Sequence, residues 1–541
     1  MSSDTLARSS AVMAAGTLVS RVLGLLRNSL TAAVVGVTII AADAWNAANT
    51  LPNLFHLLLA GGVLNAVIVP QIIKAMKHDD GGQEFVNRLL TVAMALMAVA
   101  TIVLTAAAPL LVAIVTDAGW SARDRGLATT FAFLCLPQMF FYGLYTLLGQ
   151  VLNARGRFGA YMWAPALANV VAIAGLLWFL LTDQPLEAAV EDWTPQMIAV
   201  LAGSTTLSIV LQALVLIPPL RRIGFRYRPV WGLRGSGLGA ASRMAMWAFA
   251  AVCLSQAGYI VTSRVLTGAT HRATAAGVDG AGLTAYSNAF LIFMLPHSLI
   301  TVSLVTALFT RLSHAAGARD TELVTSDLRR GLRLPAVVLI PGSAAIILLA
   351  PLVTQVILFG NAREQTDTLV PVLIAMFVGL LPFGWYYLVQ RVYYAYEDGR
   401  TPFLLQIVAT TLAVAFTLYG GTRAAVDSAM WVGIGQTVSN LAAALLGFWL
   451  LRRKVGPLGV PGVARQHVRL LLATALATLV GWVALQGMNR IVGEGLLGAT
   501  VTVATIGPLV VGLALGIAAL LHVREVAEMA DPVLRRLRLR G

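Results

Sequence analysis

Fourteen long apolar runs divide this chain, beginning near residue 10 and ending near residue 521, with only short polar segments between them. A helix needs about 20 mostly apolar residues to cross a bilayer, and each run meets or approaches that length. The runs are continuous and are interrupted by Gly and Pro. They do not alternate with period two, as barrel strands do. Charged residues make up 11% of the chain and hydrophobic ones 58%, against about 25% charged in soluble domains. The sequence therefore predicts an all-α polytopic membrane protein with fourteen transmembrane helices.

The net charge is +14, but its distribution argues against nucleic acid. Lys and Arg gather in alternate loops, for example Arg155 and Arg157, Arg221, Arg222, Arg226 and Arg228, and Arg452, Arg453 and Lys454. Lys74 and Lys77 belong to the same set. The other loops carry Asp117, Asp183, Glu187, Asp279 and Asp427. By the positive-inside rule both termini are cytoplasmic. The start, MSSDTLARSS, reads as a cytoplasmic segment and not as a cleaved signal. The basic tail 526–541 is expected to lie on anionic headgroups. The two cysteines, Cys135 and Cys253, fall in apolar runs and suggest neither a disulfide nor a metal site.

A weak repeat runs through the chain. LVSRVLG at 18–24 resembles VTSRVLTG at 261–268, with Arg21 and Arg264 separated by 243 residues. Pro52 and Pro296 are 244 apart, and Pro137 and Pro382 are 245 apart. The offset spans six helices, so the halves share an orientation. Two pseudo-symmetric six-helix lobes are expected, over 1–228 and 229–455, with an extra helix pair in 456–525. Such lobes suit a transporter that rocks about a central cavity. No HExxH, Cys/His cluster, phosphate-binding GxxxxGK[ST] or nucleophile elbow is present. The chain is therefore read as a transporter and not an enzyme, with no metal.

The costly residues mark the candidate site. An arginine at the centre of a spanning helix costs roughly 2.5–3.5 kcal/mol, and SRVLGLLRNSL (20–30) holds two, Arg21 and Arg27. Snorkelling from a helix end would leave only a short span before Asp43, so both are read as facing a water-filled interior. Planar guanidinium groups match phosphate oxygens, which makes the cavity a phosphate or pyrophosphate site. Gly24, Pro52 and Pro296 are candidate hinges. Arg264 either joins the cavity or snorkels at the outer edge. Asp43 is an outer gate, an arginine partner or an ordinary acid at a helix start. Asn53, Asn65 and His56 are polar residues within helical runs, placed as cavity or packing groups.

The stretch SRVLGLLRNSL, followed by AADAWNAANTLPNLFHLLLAGGVLNAVIVP (41–70), resembles the MurJ (MviN) lipid II flippases of the MOP exporter superfamily. LNARGRFGAYMWAPALAN (152–169) and EDGRTPF (397–403) add to the resemblance. It implies a MATE-like fold with two extra helices. It also implies movement of undecaprenyl-pyrophosphate-linked peptidoglycan precursor, lipid II, from the inner to the outer leaflet of the bacterial plasma membrane. Arg21, Arg27 and Asp43 match functional positions of the family. Lipid II, membrane lipids and cell-wall synthesis proteins are the implied partners. Two family arginines are missing: Phe55-His56-Leu57-Leu58 follows LPNL, and Leu291 stands five residues before Pro296. Arg264 is the expected partial replacement. No cofactor is expected. No carboxylate lies within 240–262 or 402–420 to build a sodium site, so membrane potential or a proton gradient stands as the alternative energy source. A flippase for another polyprenyl-linked glycan and a cation antiporter of the superfamily are the alternative functions.

Overall fold

A computed structural model describes residues 3–59, 83–232, 243–493, 495–526 and 528. Every regular element among them is helical. Among the described residues twelve helices are long and apolar enough to cross a membrane, and the pair Arg363–Val378 and Leu380–Ala395, bent by 45°, makes a thirteenth when counted as one span, span 10. Span 2, expected over 43–73, is helical over Ile40–Leu59. Its remainder lies outside the described residues, as do Asn65, Lys74, Lys77 and the tail beyond residue 528.

Proline sets where helices break. Span 3 runs as Gln83–Ala106 and restarts as Ala108–Val115, with Pro109 in the first turn, where its missing N–H costs nothing. Span 9 repeats this: Thr321–Leu348 is followed by Ala350–Ile357, with Pro351 in the first turn. The two breaks share the sequence Ala-Pro-Leu and lie 242 residues apart, close to the repeat offset. Span 4 is interrupted at Leu136 and Pro137, and span 10 at Gly379, three residues before Pro382. The repeat is therefore visible as a pattern of interruptions, a signal that the sequence comparison missed.

Helix starts depend on local caps. Ser121 and Asp124 form a reciprocal capping box ahead of Ala122–Cys135. Asp320 accepts from Leu323 N–H and starts span 9 at Thr321, about ten residues before the apolar run that began the expected span. Span 13 likewise occupies Val460–Ile491 and extends beyond its apolar stretch at both ends.

By contact the chain divides into two compact units, 1–284 and 285–541. Span 7 (Arg243–Ala275) falls in the first, packed on span 2 and on the second piece of span 3 (Ala108–Val115). The expected boundary at 228 follows the repeat, which is a relation of symmetry and not of contact. In the first unit Phe131, fully buried, meets Trp45 and Trp193 edge-on at 5.3 and 5.2 Å. Pairs of this kind add about 0.5–1.5 kcal/mol beyond their area. In the second unit the buried Tyr393 donates to the Gly447 carbonyl at 3.0 Å. Spans 13 and 14 (Leu496–Leu520) pack on each other. They expose Leu471, Leu472, Leu476, Leu479, Val483 and Leu497, a surface suited to lipid and not to water.

Candidate functional site

The described site residues lie in the first unit, apart from Pro296. Span 1 is one unbroken helix, Ser3–Val35, and carries Arg21, Gly24 and Arg27, the two arginines half-buried. At Gly24 a side chain would approach Asn169 Nδ2 of span 5 (Gly159–Leu181) to 3.5 Å, and that amide donates to the Ser20 carbonyl at 2.9 Å. Gly24 thus sits at the contact between spans 1 and 5, and the helix does not break there. Arg27 Nη2 donates to Asn28 Oδ1 at 3.2 Å. The His56 ring lies 5.7 Å from the Tyr142 ring. Spans 2 and 4 thus bring His56 and Tyr142 together, and span 1 contributes Arg27. They offer a permanent cation, an imidazole and a phenol, the donor set an anion requires. Tyr142 was missed in the sequence. Its signal was the aromatic run after Pro137, with Gln138 one helical turn earlier; the Tyr142 hydroxyl and Gln138 Oε1 are 3.5 Å apart.

Asp43 is fully buried. Its Oδ1 accepts from Thr284 N–H at 2.7 Å, and its Oδ2 accepts from Leu283 N–H at 3.2 Å and from Thr270 Oγ1 at 2.6 Å. Leu283 and Thr284 open the helix Leu283–Pro296 of span 8. Asp43 thus caps that helix from another part of the chain, satisfying orphan amides and facing the positive end of its dipole. Gly282 is required beside it, because a side chain there would strike Thr270 Oγ1 and Asp43 Oδ2. Asp43 also stands in the first turn of its own helix, Ile40–Leu59, so one carboxylate serves two helix starts.

Arg264 is exposed, and its Nη1 donates to the Ala113 and Ile114 carbonyls at 3.4 Å each. These carbonyls lie in the last turn of the second piece of span 3. The structure thus gives Arg264 a partner that the repeat did not suggest. Asn53 is exposed, and Pro52 is buried within the continuous helix of span 2. Pro296, in the second unit, ends its helix and is followed by a π-helical turn, His297–Val302, a feature common at functional irregularities. His297 is buried, with its ring 4.3 Å from Phe383. Among the described residues no group of three His, Cys, Asp or Glu is placed to hold a metal ion.

The long apolar helices, interrupted at matching places in spans 3 and 9, define a multi-pass helical membrane protein. Its fold matches a lipid II flippase MurJ in an inward closed conformation, with TM-score 0.69 and 17% identity over 93% of this chain and 98% of that one. It also matches an inward-facing MATE family multidrug transporter, with TM-score 0.65 and 17% identity over 81% and 95%. The sequence profile of the family "Lipid II flippase MurJ" matches residues 31–503, and the chain belongs to that family. Relatives include the lipid II flippase MurJ of Burkholderia cenocepacia, 28% identical over 87% of this chain and 88% of the relative. The probable lipid II flippase MurJ of Haemophilus influenzae is 25% identical over 88% and 92%.

Proposed function

We propose that this protein moves lipid II from the inner to the outer leaflet of the bacterial plasma membrane by alternating access, with both termini in the cytoplasm. The observation that carries the substrate assignment is the match of residues 31–503 to the lipid II flippase family, supported by Arg27 on span 1 and the His56–Tyr142 ring pair of spans 2 and 4. The pyrophosphate is held by Arg27 with Arg21, while His56 and Tyr142 contribute donors. The polyprenyl tail stays in lipid, with spans 13 and 14 providing an apolar surface for it. Asp43 ties span 2 to the start of span 8 in the state described here, and the π turn after Pro296 supplies flexibility within span 8. An antiporter for cationic drugs would need a carboxylate available in the interior, and the Asp43 carboxylate is taken up by three donors.

The missing family arginines at 55–58 and at Leu291 favour a second reading, a different polyprenyl-linked glycan as cargo. One experiment addresses both. The protein is depleted and lipid II is measured in each leaflet. Accumulation of lipid II in the inner leaflet supports the first reading. An unchanged distribution overturns it, and accumulation of another lipid-linked glycan establishes the second.

A further inference from the structure

Spans 9 and 13 begin well before their apolar stretches, and their extra turns carry arginines. Two adjoining cavities of about 240 and 670 Å³ open there, sharing Arg333 and Glu525. Six guanidinium groups line them: Arg329, Arg330, Arg333, Arg465, Arg469 and Arg524. The opposing carboxylates are Glu525, 3.3 Å from Arg333 Nη1, and Glu528. So many like charges around one rim repel each other unless an anion joins them.

The site is built and not merely basic. Span 13 starts at Gly459 in a left-handed conformation, φ 68°, with no side-chain cap for its first amides. At Gly459 a side chain would come within 2.7 Å of Arg329 Nη1, and at Gly462 within 2.7 Å of Arg333 Nη2. Both guanidiniums occupy the space that a side chain at these glycines would take. Gln466 lines the smaller cavity and is 6% exposed. Its Nε2 donates to the Arg333 carbonyl at 3.2 Å, while its Oε1 and Arg333 Nε are buried without partners. A fitting ligand therefore brings negative oxygens for the arginines and the helix start, together with a donor for Gln466 Oε1.

We propose that this pocket binds the phosphodiester of an anionic glycerophospholipid whose headgroup carries a hydroxyl, with the hydroxyl given to Gln466. An ammonium headgroup would also donate, but the six arginines repel it. Lipid-borne phosphate is favoured over a soluble anion because the pocket adjoins the lipid-facing spans 13 and 14. The proposal uses the orientation inferred above only for placing the pocket at the cytoplasmic face.

The test uses the purified full-length chain in detergent and measures affinity for phosphatidylglycerol, phosphatidylmethanol and phosphatidylcholine. Phosphatidylmethanol is the same diester without the hydroxyl. Phosphatidylglycerol is expected to bind tightest. Arg329→Gln with Arg465→Gln should weaken it about tenfold or more, and Arg465→Gln alone, an exposed change, should act in the same direction. Gln466→Leu should abolish the preference over phosphatidylmethanol. Binding unaffected by the arginine changes, or phosphatidylcholine binding equally, overturns the proposal. So does equal competition by inorganic phosphate, which marks a soluble-anion site, or displacement by a polyprenyl diphosphate at far lower concentration, which marks a substrate station. The readout is binding, so the proposal stands or falls independently of lipid II transport.

Discussion

At Asp43 one carboxylate serves a hydroxyl and two backbone amides at a helix start that is distant in sequence. Asp43→Ala would leave those donors buried and unsatisfied, at a cost of about 1–3 kcal/mol for each one stranded. A lower melting temperature of the purified variant is the expected outcome. Gly282→Ala should reproduce part of the loss while leaving the carboxylate in place. At the interior cluster, Arg27→Ala removes a charged anion contact, worth about 1.5–3 kcal/mol or roughly 10–150-fold in lipid II affinity. Tyr142→Phe removes a neutral donor, and about a fivefold loss is expected in the same binding assay. Arg27 was legible in the sequence because arginine in an apolar run is conspicuous. Thr270, Leu283 and Thr284 were not, because main-chain amides leave no mark on composition. Tyr142 was hidden among the aromatic residues around it.

At the scale of elements, Arg264 holds the Ala113 and Ile114 carbonyls at the end of the second piece of span 3. A cation at a helix C-terminus contributes about 0.3–1 kcal/mol when exposed. Arg264→Ala should therefore lower thermal stability slightly and leave lipid II affinity intact; a tenfold affinity loss would place the side chain in the cavity after all. Asp398 governs the start of span 11 (Arg400–Gly421), accepting from Thr401 N–H at 3.0 Å and Thr401 Oγ1 at 2.8 Å, with Lys454 Nζ at 3.5 Å. Partial burial pushes its carboxyl up, but the Thr401 bonds and Lys454 outweigh this and hold it below its ordinary value of 3.8. Its stabilising contribution is therefore complete above that value and is lost as pH falls through the lower folded-state value. Asp398→Asn should flatten the stability profile in that acidic window, by less than about 1 kcal/mol because the group is partly solvated. Helix ends were the least legible elements. Hydropathy marks where lipid begins, whereas Asp320 and Gly459 mark where the helices of spans 9 and 13 begin.

At the scale of the whole molecule, the charge asymmetry between alternate loops was the most legible property, and it yields a direct test. Cys135 is buried and Cys253 half-buried, so an added thiol dominates the labelling. In intact cells an impermeant maleimide should modify Asp183→Cys, an exposed loop position, and not Arg157→Cys; the reverse pattern would invert the topology. The repeat was legible only as three pairs of residues, whereas in three dimensions it recurs in the interrupted spans 3 and 9 and spans 4 and 10. Span 13 has 32 residues, about 48 Å of helix at 1.5 Å per residue, against a hydrocarbon slab of about 30 Å. Its surplus length, weighted by Arg465 and Arg469 near one end, works as a keel. Drift of the molecule away from that end would drag those guanidiniums into hydrocarbon, and thinning of the bilayer would bare apolar side chains. The depth at which the protein floats is thus held from both directions, at a fixed waterline.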